Sequence, residues 1–325
     1  MDNNATTQTA PEVVAAMMPF FGQLYGNPSS MHNFGGEVAA HVTKARERVA
    51  ALLGADPSEI IFTSCGTESD NTALMSALAS QPNRRHLVTT RVEHPAVLNV
   101  CQNLATKGYE VTFLPVNRQG LLDLEQVAEA VREDTALVSV MWANNETGVV
   151  FPVEEIGRIC QEKGVLFHTD AVQAAGKVPI NLGAAAIDML SISGHKLHTP
   201  KGVGVLYVKK GTPFTPYIRG GHQEHGRRAG TENVPYIVGL GAACELAQSR
   251  MAEEVAHQMA MRDRLQEGLL KLDATMVNGD LEARLPNTLS LSFEYVEGES
   301  ILLHMSAKGI CASSGSACTS GSLEP

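Results

Sequence analysis

Three short stretches combine residue types that could do chemistry together. The first, Thr63-Ser64-Cys65-Gly66-Thr67-Glu68-Ser69, brings a glycine and small hydroxyls to the point where an apolar run gives way to a helical pattern. A helix starting there leaves backbone N–H groups free at the positive end of its dipole, which suits a phosphate. The same residues serve equally as an ordinary helix cap. The second stretch, Phe167-His168-Thr169-Asp170-Ala171-Val172-Gln173, puts a carboxylate at the end of an apolar run. Asp170 could keep a heterocyclic nitrogen protonated, or simply open a turn. The third, Ser191-Ile192-Ser193-Gly194-His195-Lys196, sets a lysine just after another apolar run. A lysine there is either a solvated loop residue or, with its pKa lowered, a Schiff-base nucleophile. Taken singly each stretch is ambiguous. Together, a phosphate seat, a strand-end carboxylate and a strand-end lysine are three separate needs of pyridoxal phosphate.

These residues depend on the elements that would carry them. β-branched runs at 60–64, 86–91, 110–114, 136–141, 165–169, 187–191 and 203–209 read as strands. Helical patterns at 67–80, 96–107, 123–132 and 153–163 separate the earlier ones. The alternation predicts an α/β fold with a mostly parallel seven-stranded sheet and helices on both faces. Such sheets bind ligands beyond the carboxyl ends of their strands, where Asp170 and Lys196 fall. One crossover separates the two, so they are expected on nearby strands. From about residue 235 the texture changes to a long helical stretch (237–272), an alternating apolar segment (287–293) and a helix near 299–308. The expected division is a large unit over 15–235 and a smaller α+β unit built from 1–14 and 236–325.

Composition narrows the classes. The chain has 325 residues, with 25 basic against 35 acidic side chains and a net charge of −10. That balance argues against general nucleic-acid or anionic-membrane binding. No apolar run approaches a membrane span, and the N-terminus lacks a signal peptide's basic start and apolar run. Six cysteines, at 65, 101, 160, 244, 311 and 318, show no CxxC spacing. They read as cytoplasmic thiols. Five fall in packing contexts. Cys318 instead sits among Ser, Gly and Ala, in a loop too small and polar to pack, where a thiol is either available to attack or an incidental residue of a flexible tail. His222 and His225 invite a metal reading, but flanking glycines argue for a loop and no third ligand pattern follows, so no metal site is expected.

The sequence resembles the cysteine desulfurases, fold-type-I pyridoxal-phosphate enzymes of the class V aminotransferase group, and most the nitrogen-fixation type. The resemblance rests on Asp2-Asn3-Asn4-Ala5-Thr6-Thr7, Gly26-Asn27-Pro28-Ser29-Ser30, Glu93-His94-Pro95, Asn144-Asn145-Glu146-Thr147-Gly148, Arg227-Arg228-Ala229-Gly230-Thr231-Glu232-Asn233 and Ser313-Ser314-Gly315-Ser316-Ala317-Cys318-Thr319. The three stretches described first belong to it too, and it runs over essentially the whole chain.

The resemblance implies roles residue by residue. Lys196 would bind the cofactor covalently, Asp170 would pair with its pyridinium nitrogen and Gln173 with its phenolic oxygen. His94 would stack on the ring and assist proton transfer. Gly66, Thr67, Ser193 and His195 would hold the phosphate, and Thr231 would reach the phosphate of a partner subunit in a homodimer. Asn145 would contact cofactor or substrate, although its surroundings are also good turn chemistry. Cys318 would take sulfur from L-cysteine as a persulfide, releasing L-alanine. It would pass that sulfur to an iron–sulfur scaffold or other acceptor, and could serve as a transient iron–sulfur ligand. A class V transaminase or a selenocysteine lyase is the enzymatic alternative, and the loop thiol speaks against the transaminase. The family continues past the Cys318 loop to an arginine that clamps the substrate carboxylate. Since the chain stops at Pro325, the small unit is expected to be incomplete, and a catalytically impaired fragment is the remaining alternative.

Overall fold

Strands apolar at every position need cover on both faces. The computed structural model, which describes residues 2–315, provides it. The chain opens with α1 (Pro11–Met17) and the long α2 (Asn33–Leu53), then enters the sheet through β1 (Ile60–Thr63). There follow α3 (Gly66–Ser80), β2 (His86–Thr90), α4 (Pro95–Thr106), β3 (Glu110–Leu114), α5 (Leu124–Ala130) and β4 (Thr135–Ser139). Next come α6 (Val153–Glu162), β5 (Leu166–Asp170), β6 (Met189–Ser193) and β7 (Gly204–Val208). The last elements are α7 (Val234–Leu269), β8 (Thr275–Val277), β9 (Leu291–Phe293) and α8 (Gly298–Ala307).

Seven strands form one sheet in the order β1-β7-β6-β5-β4-β2-β3. All neighbours from β6 to β3 run parallel, while β7 is antiparallel to both β6 and β1. The expected mostly parallel sheet is thus observed. Successive side chains point to opposite faces. On β4, β6 and β7, Val138, Leu190 and Val205 enter one apolar core, and Leu137, Met189 and Leu206 enter the other. The first core is covered by α1, α2, α6 and α7, the second by α3 and α4.

The two N-terminal helices were not anticipated, although α2 carries a clear stripe: Val38, Val42, Ala45, Val49, Leu52 and Leu53 are all buried. It lies against α7, and a side chain on Gly241 would come within 2.6 Å of the Ala45 Cα, so only glycine permits this approach. α7 begins in the core, with buried residues from Val234 to Cys244. Beyond that Arg262 is its one buried side chain, and the helix carries the chain away from the sheet.

There β8 and β9 pair antiparallel as a separate two-stranded sheet. This unit is tied back by Val150 N–H to the Ala283 carbonyl (2.8 Å) and by Leu285 N–H to the Gly148 carbonyl (2.8 Å). Among the described residues no helix is long and apolar enough to cross a membrane.

Candidate active site

The sheet order sets the site out laterally. The segments leaving β6, β5, β4 and β2, which are successive neighbours in the sheet, carry Ser193–Lys196, Asp170, Asn144–Asn145 and Glu93–His94. Asp170 and Lys196 thus follow hydrogen-bonded strands, as their spacing implied. The strands remain stitched just beyond their ends: Trp142 N–H donates to the Asp170 carbonyl (2.8 Å) and Ala171 N–H to the Ser191 carbonyl (2.9 Å). The candidate side chains therefore stand on hydrogen-bonded backbone.

Lys196 closes a short 3-10 turn after β6. Its ammonium donates to the Asn4 and Ala5 carbonyls. Gln173, 5% exposed, sends its Nε2 to the same Asn4 carbonyl at 3.0 Å. Thr6 and Thr7 continue the contact, through Thr6 Oγ1 with His195 Nδ1 (3.2 Å) and Thr7 Oγ1 donating to the His195 carbonyl (2.9 Å). The N-terminal segment thus lies along the lysine. Asn4 also reaches the smaller unit, donating through Nδ2 to Thr288 Oγ1 (2.9 Å) and the Asn145 carbonyl (3.3 Å), and accepting Asn287 Nδ2 (3.0 Å).

α3 begins at Gly66, and Cys65 before it provides no side-chain cap. A Cβ on Gly66 would meet Val172 Cγ2 at 2.9 Å and Ser193 Cβ at 3.3 Å, so the helix end sits close to the ends of β5 and β6. Thr67 is exposed at this end. Glu68 anchors the turn, accepting Ser64 N–H (2.8 Å) and a two-pronged contact from Arg228 (2.8 and 3.1 Å). Burial would raise the Glu68 pKa, but Arg228 and Ser64 outweigh it and hold it below the ordinary value.

Charge at the site is governed by burial. Asp170 is pushed above its usual range by desolvation, with Val172 N–H (2.9 Å) and Lys196 pulling it back. His94 caps α4, its Nδ1 accepting Ala96 N–H at 3.1 Å. Desolvation, then the charge of Lys196, lowers its pKa and favours neutral imidazole. The same effects, with Lys201, bring His195 down to about 4. Beneath them lies a buried polar layer with no assigned role in the sequence. His168 is neutral, pushed down to about 3 by burial, and bonds Ser139 (2.9 Å) and Ser191 (3.0 Å). Glu93, raised to about 8 by burial, accepts Thr90 Oγ1 (2.8 Å) and Met141 N–H (3.1 Å). Asp70 is raised by burial and by Asp170. Only its position on the inner face of α3 could have signalled it.

Lys196, Asp170, Gln173, His195, Ser193 and Gly66 are therefore assembled at one end of the sheet, with His94 facing Lys196 electrostatically. Asn145 joins through Asn4. Thr231 stands apart, exposed and lining a cavity with Ser64, Glu224 and Arg228 between β1 and the 224–233 loop. Cys318 lies outside the described residues. The loop leading toward it passes Asp2, which accepts the Ser313 hydroxyl, and Glu146, whose Oε2 is 3.3 Å from a Cβ built on Gly315. Cys65, Cys101, Cys160 and Cys244 are partly or fully buried, whereas Cys311 is exposed; all five are free. Among the described residues no cluster of three metal-ligating side chains occurs.

The class-V aminotransferase family model matches residues 1–324. A cysteine desulfurase of Trichormus azollae is 60% identical over 100% of this chain and 82% of its own length. The cysteine desulfurase NifS of Azotobacter vinelandii is 58% identical over 100% of this chain and 81% of its own. Among solved structures, a NifS-like protein superposes with a TM-score of 0.94 at 44% identity, over 98% of this chain and 87% of that one. Another, named SspA in complex with cysteine, gives 0.83 at 35% identity over 98% and 90%. Family, sequence and fold agree, and the chain belongs to the class-V aminotransferases, in their cysteine desulfurase branch.

Proposed function

We propose that this chain is a pyridoxal-phosphate-dependent cysteine desulfurase that converts L-cysteine to L-alanine, holds the sulfur as a persulfide on Cys318 and supplies it for iron–sulfur cluster assembly. The observation that carries the reading is the placement of Lys196, Asp170 and the uncapped start of α3 on neighbouring elements. The residues fit the cofactor. A 5% exposed carboxylate with a raised pKa would be relieved by a heterocyclic N–H⁺, and free N–H groups beside Ser193 would receive a phosphate. When bound, pyridoxal phosphate supplies an electron sink for bond changes at the amino acid's Cα.

The chain's own residues do the rest. Asp170 would hold the ring nitrogen's proton, and Gln173 would donate to the phenolic oxygen. Gly66, Thr67, Ser193 and His195 would seat the phosphate, with Thr231 reaching that of a second subunit. His94, kept neutral by burial and Lys196, is suited to accept a proton over the ring face, and the Lys196 amine would carry the substrate's Cα proton. Asn145 would contact cofactor or substrate, held there through Asn4. The Cys318 thiolate would attack the substrate's Sγ: the S–S bond forms, the Cβ–S bond breaks, and its electron pair returns to the substrate carbon, which is protonated to give alanine.

A large unit over 15–235, a small one from 1–14 and 236–325, a homodimer and a cytoplasmic setting complete the reading. Five free described cysteines accord with the last. The test mixes purified protein with pyridoxal phosphate and L-cysteine, then assays alanine and sulfide under reductant. Cys318→Ala should keep the bound cofactor's absorbance and lose sulfide release. Undiminished release would remove the nucleophile assignment, and amino transfer to a keto acid would replace the activity.

A further inference from the structure

A second lysine stands behind the first. Lys177 lies in the turn after β5, and its ammonium donates to the Gln173 carbonyl at 2.9 Å and to Gln173 Oε1 at 3.4 Å. An ammonium has three donors and no acceptor, so it can face only the oxygen end of an amide. The opposite end, Nε2, is then turned toward the Asn4 carbonyl, where the Lys196 ammonium also arrives. Gln173 is therefore clamped at both ends of its amide, and Lys177 decides which end faces the lysine.

The charge matters as well. Burial, then the proximity of Lys196, brings the Lys177 pKa down to about 7. The proximity of Lys196 in a desolvated setting disfavours the protonated form of Lys177, so Lys177 presents its positive charge below about pH 7 and gives it up above. Among the described groups, Asp170, which opposes this effect, and His94 and His195, both held neutral by burial, also feel Lys196.

We propose that Lys177 is a positioning residue for the desulfurase reaction: it fixes the Gln173 amide with its N–H end toward the cofactor's phenolic oxygen and places a second cation behind Lys196. The proposal rests on the cofactor reading above. It assigns Lys177 no contact with substrate or cofactor.

The test is a pH titration of the visible absorbance of the holoenzyme. While Lys177 is protonated, the cation behind Lys196 favours the unprotonated chromophore, as does a donor on the phenolic oxygen. Lys177→Met should therefore raise the titration midpoint by about one pH unit. Lys177→Arg, which keeps charge and donors, should stay near wild type. Lys177→Gln removes the charge but can still hydrogen-bond the amide, and should shift the midpoint less than Lys177→Met; it also serves if the methionine variant fails to fold. An unmoved midpoint in the neutral variants, with cofactor bound, overturns the proposal and leaves the desulfurase reading intact. A wild-type protein that takes up no chromophore would remove both.

Discussion

The strand-end floor and the smaller unit obey different physics. The floor is built from β4, β5 and β6, buried at nearly every position, with His168 bonded to two serines and Glu93 to a hydroxyl and a backbone N–H below the site, while the buried Thr169 hydroxyl finds no partner. α8 buries no residue, and Leu303, Tyr295 and Val296 are 72%, 95% and 56% exposed. Rigid burial thus belongs to the groups that would hold a cofactor. The smaller unit, attached by a few hydrogen bonds and one fully buried leucine, Leu285, leads to the Cys318 loop. A pocket must be preorganised, and the buried, hydrogen-bonded floor meets that need where the exposed smaller unit does not.

The largest expected effect tests the floor. Phe167 on β5 is fully buried in the main core, so Phe167→Ala should cost about 3–5 kcal/mol, read as a lowered urea midpoint. A cost near zero would mean the floor is not the rigid region. Glu93 sharpens the same point through pH. Burial raises its folded pKa to about 8, above the 4.5 of an ordinary glutamate, so folding favours the protonated acid. The stability this gives is complete below about 4.5 and is lost as the pH rises through about 8. Glu93→Gln, which stays neutral, should flatten stability across that window in denaturation series at several pH values. An unchanged slope would show that Glu93 is ionised when folded.

Most of the floor was legible in the sequence. The seven strands lie within two residues of the expected bounds; six are buried runs with few other solutions, and the half-buried edge strand β3 is legible from its alternation with helical patterns. Asp170 and Lys196 stood out because strand ends are where such sheets bind ligands. The helix α2 was missed although its apolar stripe was readable; with two glycines in its first turn, its start was masked. Strand order was not legible, and neither was the antiparallel β7, since both follow from packing between distant segments. Lys177 and Asn4 were passed over for a related reason. A lysine on a turn looks solvated until Gln173 and Lys196 are brought beside it. Asn4 meets Asn287 and Thr288 across more than two hundred and eighty positions.

Asn4 is where the two regions meet, so its removal should be felt at both. Asn4→Ala leaves the carbonyl that Gln173 and Lys196 use and deletes the amide that bonds Thr288, Asn287 and the Asn145 carbonyl. Each net hydrogen bond contributes about 1 kcal/mol, so a loss of roughly 1–3 kcal/mol is expected. Hydrogen exchange should locate the loosening near residues 283–293 while amides of β5 and β6 stay protected. Loosening centred on the floor instead would mean Asn4 supports the lysine rather than joining the units.

The smallest effect is the most discriminating. Leu303 is apolar, sits mid-helix in α8 and would ordinarily be expected in a core, yet it is 72% exposed. Burial, not residue type, sets the cost of truncation, so Leu303→Ala should change stability by less than about 0.5 kcal/mol. That figure holds if this face of α8 is open in solution. Should a second copy of the chain or the remainder of the small unit cover it, the same substitution would cost several times more, and sedimentation would tell the two apart. A shift to slower association on mutation would point to a second copy. A large loss in a protein whose association is unaltered would place the cover within the chain itself. Either result would move α8 from the exposed region to the buried one and redraw the boundary between them.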